Sequence, residues 1–206
     1  MSEKPSDTYL TIENSTEATF KDKGSKFIAF ASSVKNIDEI KATILSLKSE
    51  HYKARHHCYA WRLGADHKNC RANDDGEPSN SAGNPILGQI KSFELTDILI
   101  VVVRYFGGTL LGVGGLINAY KTVSREALLE AKIIQKEVRK IIVTEFEYQL
   151  MSHIIHIIKD RNIEIIGTEY SSNCKIFISV KLSDTEYILQ TLNNTFGVLA
   201  YDQKVN

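Results

Sequence analysis

Three stretches of this chain carry residue types that can do chemistry. The segment DDGEPSNSAG (74–83) crowds Asp74, Asp75 and Glu77 into a turn shaped by Gly76 and Pro78. Neighbouring carboxylates can hold a divalent cation, do acid–base work, cap the helix expected to start near Pro85, or pair with a cation such as Arg104 or Arg71. The run RYFGGTLLGVGG (104–115) places Arg104, Tyr105 and Phe106 before Gly107, Gly108, Gly112, Gly114 and Gly115. A glycine loop between strand and helix can cradle an anion on its backbone N–H groups, or can simply allow close packing. Two phosphate signatures fail here. Ile117 stands where a dinucleotide fingerprint needs its last glycine, and Val113 follows Gly112 where a P-loop needs lysine. The third stretch, 53–71, holds Lys53, Arg55, Arg62, Lys68 and Arg71 with His56, His57 and His67. It reads as a basic, histidine-rich edge that contacts phosphate or an acidic protein.

Other arrangements are poorly matched. Cys58 and Cys70 lie too far apart for a zinc pair, and His56 and His57 point to opposite faces of a strand. A Ser–His–Asp set drawn from Ser79 or Ser81, His56 or His57, and Asp75 lacks the G-x-S-x-G elbow. No cofactor and no metal is called for. Arg104 closes an apolar strand, where a guanidinium needs a partner: Asp74, Asp75, Glu77 or a bound anion. Tyr105 and Phe106 beside it can pack inward or stack on a base.

These residues must be positioned by regular elements. Strands are expected at Thr16–Lys21, Lys26–Val34 and His57–Leu63. Ile37, Ile40, Ile44 and Leu47 mark a helix with Asn36 as its N-cap. Residues 64–83 are expected as one long polar loop, and Pro85–Phe93 as a short helix. Asp97–Tyr105, with the apolar run Ile98–Val103, must be a central strand buried on both faces. After the expected glycine loop (107–115), Leu116, Tyr120, Val123 and Ala127 form one helical stripe. Near Ile133–Glu137 the composition changes, and a linker there divides an N-terminal domain (1–134) from a C-terminal one (135–206). The second reads strand, helix, strand, strand, helix, strand, the ferredoxin-like βαββαβ order. On its first helix His153 and His156 read as surface residues.

Length and charge narrow the class. The chain has 206 residues, 25 basic and 25 acidic side chains, and a net charge of zero. Bulk charge therefore does not hold it to nucleic acid, although a local patch can. The longest apolar run is too short to span a bilayer, and the N-terminus has no apolar signal core. Three scattered cysteines give no disulfide framework and fit a reducing cytoplasm.

ARHHCYAW (54–61), DDGEPSNSAGNPIL (74–87) and ILIVVVRYFGGTLLGVGGLINAYKTVSREAL (98–128) together resemble the YigZ/IMPACT family. The stretch RYFGGTLLG after an apolar strand is specific to it. Asn80 and Ser81 depart from its usual Gly-Thr. The resemblance implies an α+β fold, with an N-terminal domain like those of a ribosomal protein and translocating elongation factors and a ferredoxin-like second domain. Eukaryotic members regulate translation by competing for the activator of a starvation-responsive initiation-factor kinase. Bacterial members have no settled activity. The expectation is a cytoplasmic binding protein rather than an enzyme, engaging RNA, the ribosome or a translation-associated protein. In it Lys53, Arg55 and Arg62 contact phosphate, the Gly107–Gly115 backbone accepts an anion, and Arg104 links the central strand to the acidic turn. The rivals are a metal-dependent hydrolase built on Asp74, Asp75 and Glu77, and a module that reads a protein surface without nucleic acid.

Overall fold

The computed structural model describes residues 7–203. The chain divides into two compact units, Met1–Lys136 and Glu137–Asn206.

The first unit is built on a five-stranded antiparallel sheet. Its strands are β2 (Thr16–Asp22), β3 (Ser25–Ser33), β4 (His56–Leu63), β5 (Asn69–Asn73) and β6 (Ile98–Tyr105), in the order β2-β3-β6-β4-β5. The continuous apolar run puts β6 at the centre, because both of its faces are covered. Ile98, Ile100 and Val102 face helices α2 (Gly83–Ser92) and α3 (Gly112–Leu129), with Phe27, Ala29, Cys58 and Ala60 beside them. Leu99, Val101 and Val103 face α1 (Ile37–Glu50), with Trp61 and Leu63. The Asn36 side-chain oxygen accepts the N–H groups of Asp38 and Glu39 at 3.1 and 2.9 Å and so starts α1.

Three expectations need correction. The 64–83 segment is not one loop. Residues 69–73 form β5, whose sequence NCRAN is poor in strand formers and is held as an edge by pairing with β4. The expected linker is β7 (Ile133–Glu137), paired with β1 (Thr8–Ile12) in a two-stranded sheet. The glycine loop is shorter than 107–115, since α3 already begins at Gly112. Gly112, Gly114 and Gly115 are therefore the first turn of a helix.

The second unit runs β8 (Arg139–Phe146), α4 (Met151–Asp160), β9 (Glu164–Tyr170), β10 (Cys174–Lys181), α5 (Thr185–Asn193) and β11 (Val198–Asp202). Its antiparallel sheet has the order β11-β8-β10-β9, the ferredoxin-like arrangement. Ile154 and Ile158 of α4 and Ile188 and Leu192 of α5 bury on Ile142, Ile176 and Ile178 of the sheet. His153 and His156 are exposed on α4.

Candidate functional site

Period two along β6 decides what each residue at its end can reach. Arg104 continues the face of Ile98, Ile100 and Val102 and stands opposite His56 of β4. Tyr105 falls on the other face, where its hydroxyl lies 2.9 Å from His51 Nδ1. Tyr105 thus packs toward α1 and is not offered to a base.

Arg104 is 5% exposed, and a buried guanidinium needs a counter-charge. Of the three acidic candidates, Glu77 supplies it: its Oε1 accepts from Arg104 Nη1 at 2.6 Å and from the Tyr120 hydroxyl at 2.7 Å. The Cys58 thiol donates to the Asp74 carbonyl at 3.0 Å and lies 3.3 Å from the Tyr120 hydroxyl. Ser25 Oγ accepts from the Gly107 N–H at 3.2 Å and lies 3.5 Å from Arg104 Nη2. The guanidinium also sits over the Phe27 and Phe106 rings, 5.4 and 5.8 Å from their centroids. One buried polar lattice therefore ties β3, β4, the 74–78 turn, β6 and α3 together. Arg104 Nε is buried without a partner.

Neither the thiol nor the phenol of this lattice is activated. Burial pushes the Cys58 thiol above its ordinary range, and the carboxylates of Glu77, Asp75 and Asp74 push the same way against the Tyr120 hydrogen bond. Burial likewise raises Tyr120, reinforced by Cys58 and Glu77. Both groups stay protonated at neutral pH.

The other two carboxylates face elsewhere. Asp74 Oδ1 accepts from the N–H groups of Ala82 and Gly83 at 2.9 and 2.8 Å, and Oδ2 from that of Asn80 at 2.9 Å, so Asp74 caps the start of α2. Asp75 Oδ2 accepts the His57 backbone N–H at 2.7 Å, and its Oδ1 pairs with Lys48 Nζ at 3.1 Å. Each of the three carboxylates thus has its own partners, and they point to different elements. Among the described residues, no three His, Cys, Asp or Glu side chains gather in a way that could hold a metal ion.

Above the lattice lies a cavity of about 350 Å³, whose walls include Arg55, His56, Pro78, Phe106, Leu110 and Val113 as well as Glu77 and Arg104. The start of α3 contributes Gly112, with no side-chain cap and no acidic residue in its first turn. Its free N–H groups give this end partial positive charge. The rim is apolar and open: Leu110 is 82% exposed, Val113 52% and Phe106 43%. The Arg55 guanidinium lies 6.0 Å from the Phe106 ring centroid.

The glycines divide by role. A Cβ on Gly107 would sit 1.9 Å from the Gly24 carbonyl carbon, so Gly107 permits two backbones to touch and is closed to a ligand. Gly108 and Gly112, at φ +87° and +71°, turn the chain from β6 into α3, and Gly114 has open space around it. A Cβ on Gly115 would meet the Leu111 Cβ at 3.0 Å.

The basic stretch does not form one patch. Arg55 and His56 reach the cavity, whereas Lys53 stands exposed on the turn after α1, with its Nζ over Tyr52. Arg62 pairs in register with Ile98, six residues along β6 from Arg104, or about 20 Å at strand rise. There it donates to the His67 and Leu95 carbonyls at 3.3 and 3.4 Å. His57 is buried on the α1 face, away from the cavity. Sequence reasoning missed Ser25 and the polar role of Tyr120. The signal for Tyr120 was a phenol in a stripe of Leu, Val and Ala, since a buried hydroxyl requires a partner.

Residues 23–128 match the Impact N-terminal domain family. The chain is 33% identical over 178 residues to the IMPACT family member YvyE of Bacillus subtilis, covering 86% of this chain and 82% of that protein. It is 36% identical over 152 residues to the IMPACT family member YigZ of Escherichia coli, covering 73% and 74%. A solved structure described as that of a hypothetical protein, 29% identical, superposes over 97% of this chain and all of its own with a TM-score of 0.78. The apolar strand ending in Arg104, the turn that carries Glu77 and the helix that carries Tyr120 all lie within the matched segment, and the chain belongs to the IMPACT family.

Proposed function

We propose that this chain is a non-enzymatic, cytoplasmic binding protein of translation-associated regulation, and that it contacts a protein partner through the cavity at the start of α3. The observation that carries this reading is the apolar, exposed rim of Phe106, Leu110 and Val113, mounted on a buried Arg104–Glu77–Tyr120 clamp. Exposed apolar side chains on a rigid base are what a protein interface uses as anchors. Arg55 and the uncapped helix start add positive charge beside them, which suits a partner segment with an apolar side chain next to a carboxylate. Translation is the process that the family resemblance supplies. A protein partner fits better than RNA because Lys53, Arg55 and Arg62 do not line up as a phosphate track. The separate employment of Asp74, Asp75 and Glu77 weighs against a metal-dependent hydrolase.

Affinity capture on the immobilised chain, before and after nuclease treatment, tests this. The expected result is a component of the translation machinery that is retained equally in both cases and lost with Leu110→Asp. Capture that disappears with nuclease would instead support RNA or ribosome binding. Retention unchanged by Leu110→Asp would remove the cavity from the account.

A further inference from the structure

The second unit has a cavity of its own, about 390 Å³, where the beginning of β8, the ends of β10 and α4, and the beginning of α5 meet. Three cations from distant parts of the chain converge on it: Arg139, Arg161 and Lys181. We infer that this cavity is a binding site for a small phosphorylated molecule with a flat ring, of the nucleoside monophosphate class.

The cations are positioned in advance. Arg139 Nε donates to Ser179 Oγ and its Nη2 to the Ser179 carbonyl, both at 2.8 Å, which fixes the guanidinium against β10. Arg161 lies over the Tyr187 ring, 5.7 Å from its centroid, and its Nη2 is 3.4 Å from the Tyr187 hydroxyl. Lys181 stands directly opposite Arg139 in the strand register.

Their present partners are exchangeable. Lys181 pairs with Glu137 at 2.6 Å, Arg139 with Glu137 and Glu164 at 3.4 and 3.8 Å, and Arg161 with Asp160 at 3.9 Å. All of these carboxylates are exposed, and exposed ion pairs add little to folding. They do not explain why three cations are gathered at one cavity. Two guanidinium forks and an ammonium offer more donors than one carboxylate can accept, which favours phosphate. The nine-residue helix α5 starts at the same place, but the N–H of its first residue, Thr185, donates to the Leu182 carbonyl and Glu186 lies in its first turn, so the three cations and not the helix end supply the positive charge. The remaining wall mixes Ile163, Val180 and Ile188 with the polar Asn162 and Ser179, and the Tyr187 ring, 59% exposed, is a stacking surface. Asp184 on the rim is an acceptor for a sugar hydroxyl or a ring amino group. The cavity size lies within the range of small-molecule sites.

Calorimetric titration of the full chain with AMP and GMP, and with inorganic phosphate as a reference, is the test. The expected result is saturable binding of at least one nucleotide below about 1 mM, at least about tenfold tighter than phosphate alone. Arg161→Ala and Lys181→Ala should each weaken it by about tenfold or more, and Lys91→Ala on α2 should not. Both cavity side chains are partly exposed, so thermal unfolding without ligand should stay near that of the parent chain. The inference is overturned by absence of heat with both nucleotides, by phosphate binding as tightly as the nucleotides, by equal weakening with Lys91→Ala, or by a single-stranded oligonucleotide that binds far more tightly than the mononucleotides.

Discussion

Arg62 and Arg104 stand on the same face of the same sheet and meet different fates. Arg104, at the end of β6, is sealed behind Glu77, Tyr120 and two aromatic rings. Arg62, at the far end of β4, stays partly exposed and donates only to two carbonyls. Both satisfy a guanidinium, but the first does so with a full counter-charge in a dry setting. A buried ion pair is costly to form and more costly to break on one side. Its worth here is geometric, because it joins segments 27 and 43 positions away from Glu77 into one clamp beneath an open cavity. The Arg62 end has no such consequence, since carbonyl contacts fasten a turn without shaping a pocket.

The contrast can be broken in graded steps. Arg104→Ala leaves the Glu77 carboxylate buried without its cation and should cost about 3–5 kcal/mol in denaturant unfolding. A loss no larger than that of Arg62→Ala would abolish the distinction between the two ends. Tyr120→Phe removes the hydroxyl that donates to Glu77 and lies 3.3 Å from the Cys58 thiol, and keeps the ring against Phe27, so about 2 kcal/mol is expected from the same measurement. Arg62→Ala should cost about 1 kcal/mol, with partner retention unaffected.

The smallest effect belongs to the opposite face. Burial lowers His57 below its ordinary 6.5, against the opposing pull of Asp75, and Lys48 lowers it further. The folded chain therefore takes up this proton at lower pH than the unfolded chain. The His57 contribution to stability is full above pH 6.5 and is lost as pH falls through the depressed folded value. His57→Gln should flatten that part of the stability–pH curve, and an unchanged slope would show that other groups set it.

Much of the positioning was legible in residue order alone. Ile98–Val103 announced a central strand, and the stripe at Leu116, Tyr120, Val123 and Ala127 announced the face that α3 buries. The βαββαβ order of the second unit was also readable, because β10 alternates and α4 and α5 carry helical stripes of buried residues. β5 and β7 were not. The residues of β5 have weak strand preference, β7 has only Ile133 and Ile134 before a polar Gln-Lys-Glu, and pairing with β4 and β1 makes them strands. In the site, the need of Arg104 for a partner followed from burial, but the choice among Asp74, Asp75 and Glu77 did not. That choice depends on Asp75 and Gly76 at φ +41° and +88°, which turn Asp74 toward α2 and Glu77 toward β6. The apparent unity of Lys53–Arg71 was misleading for a similar reason. A strand carries its residues away from one another, so closeness in sequence does not make a patch.

A double-mutant cycle across Arg104→Met and Glu77→Leu tests the central claim most directly. Each single change should destabilise the chain by about 3 kcal/mol or more, and the double variant should be milder than their sum by at least about 2 kcal/mol, since it leaves no buried charge unmatched. Additive losses, with coupling below about 0.5 kcal/mol, would contradict the clamp on which the cavity is built.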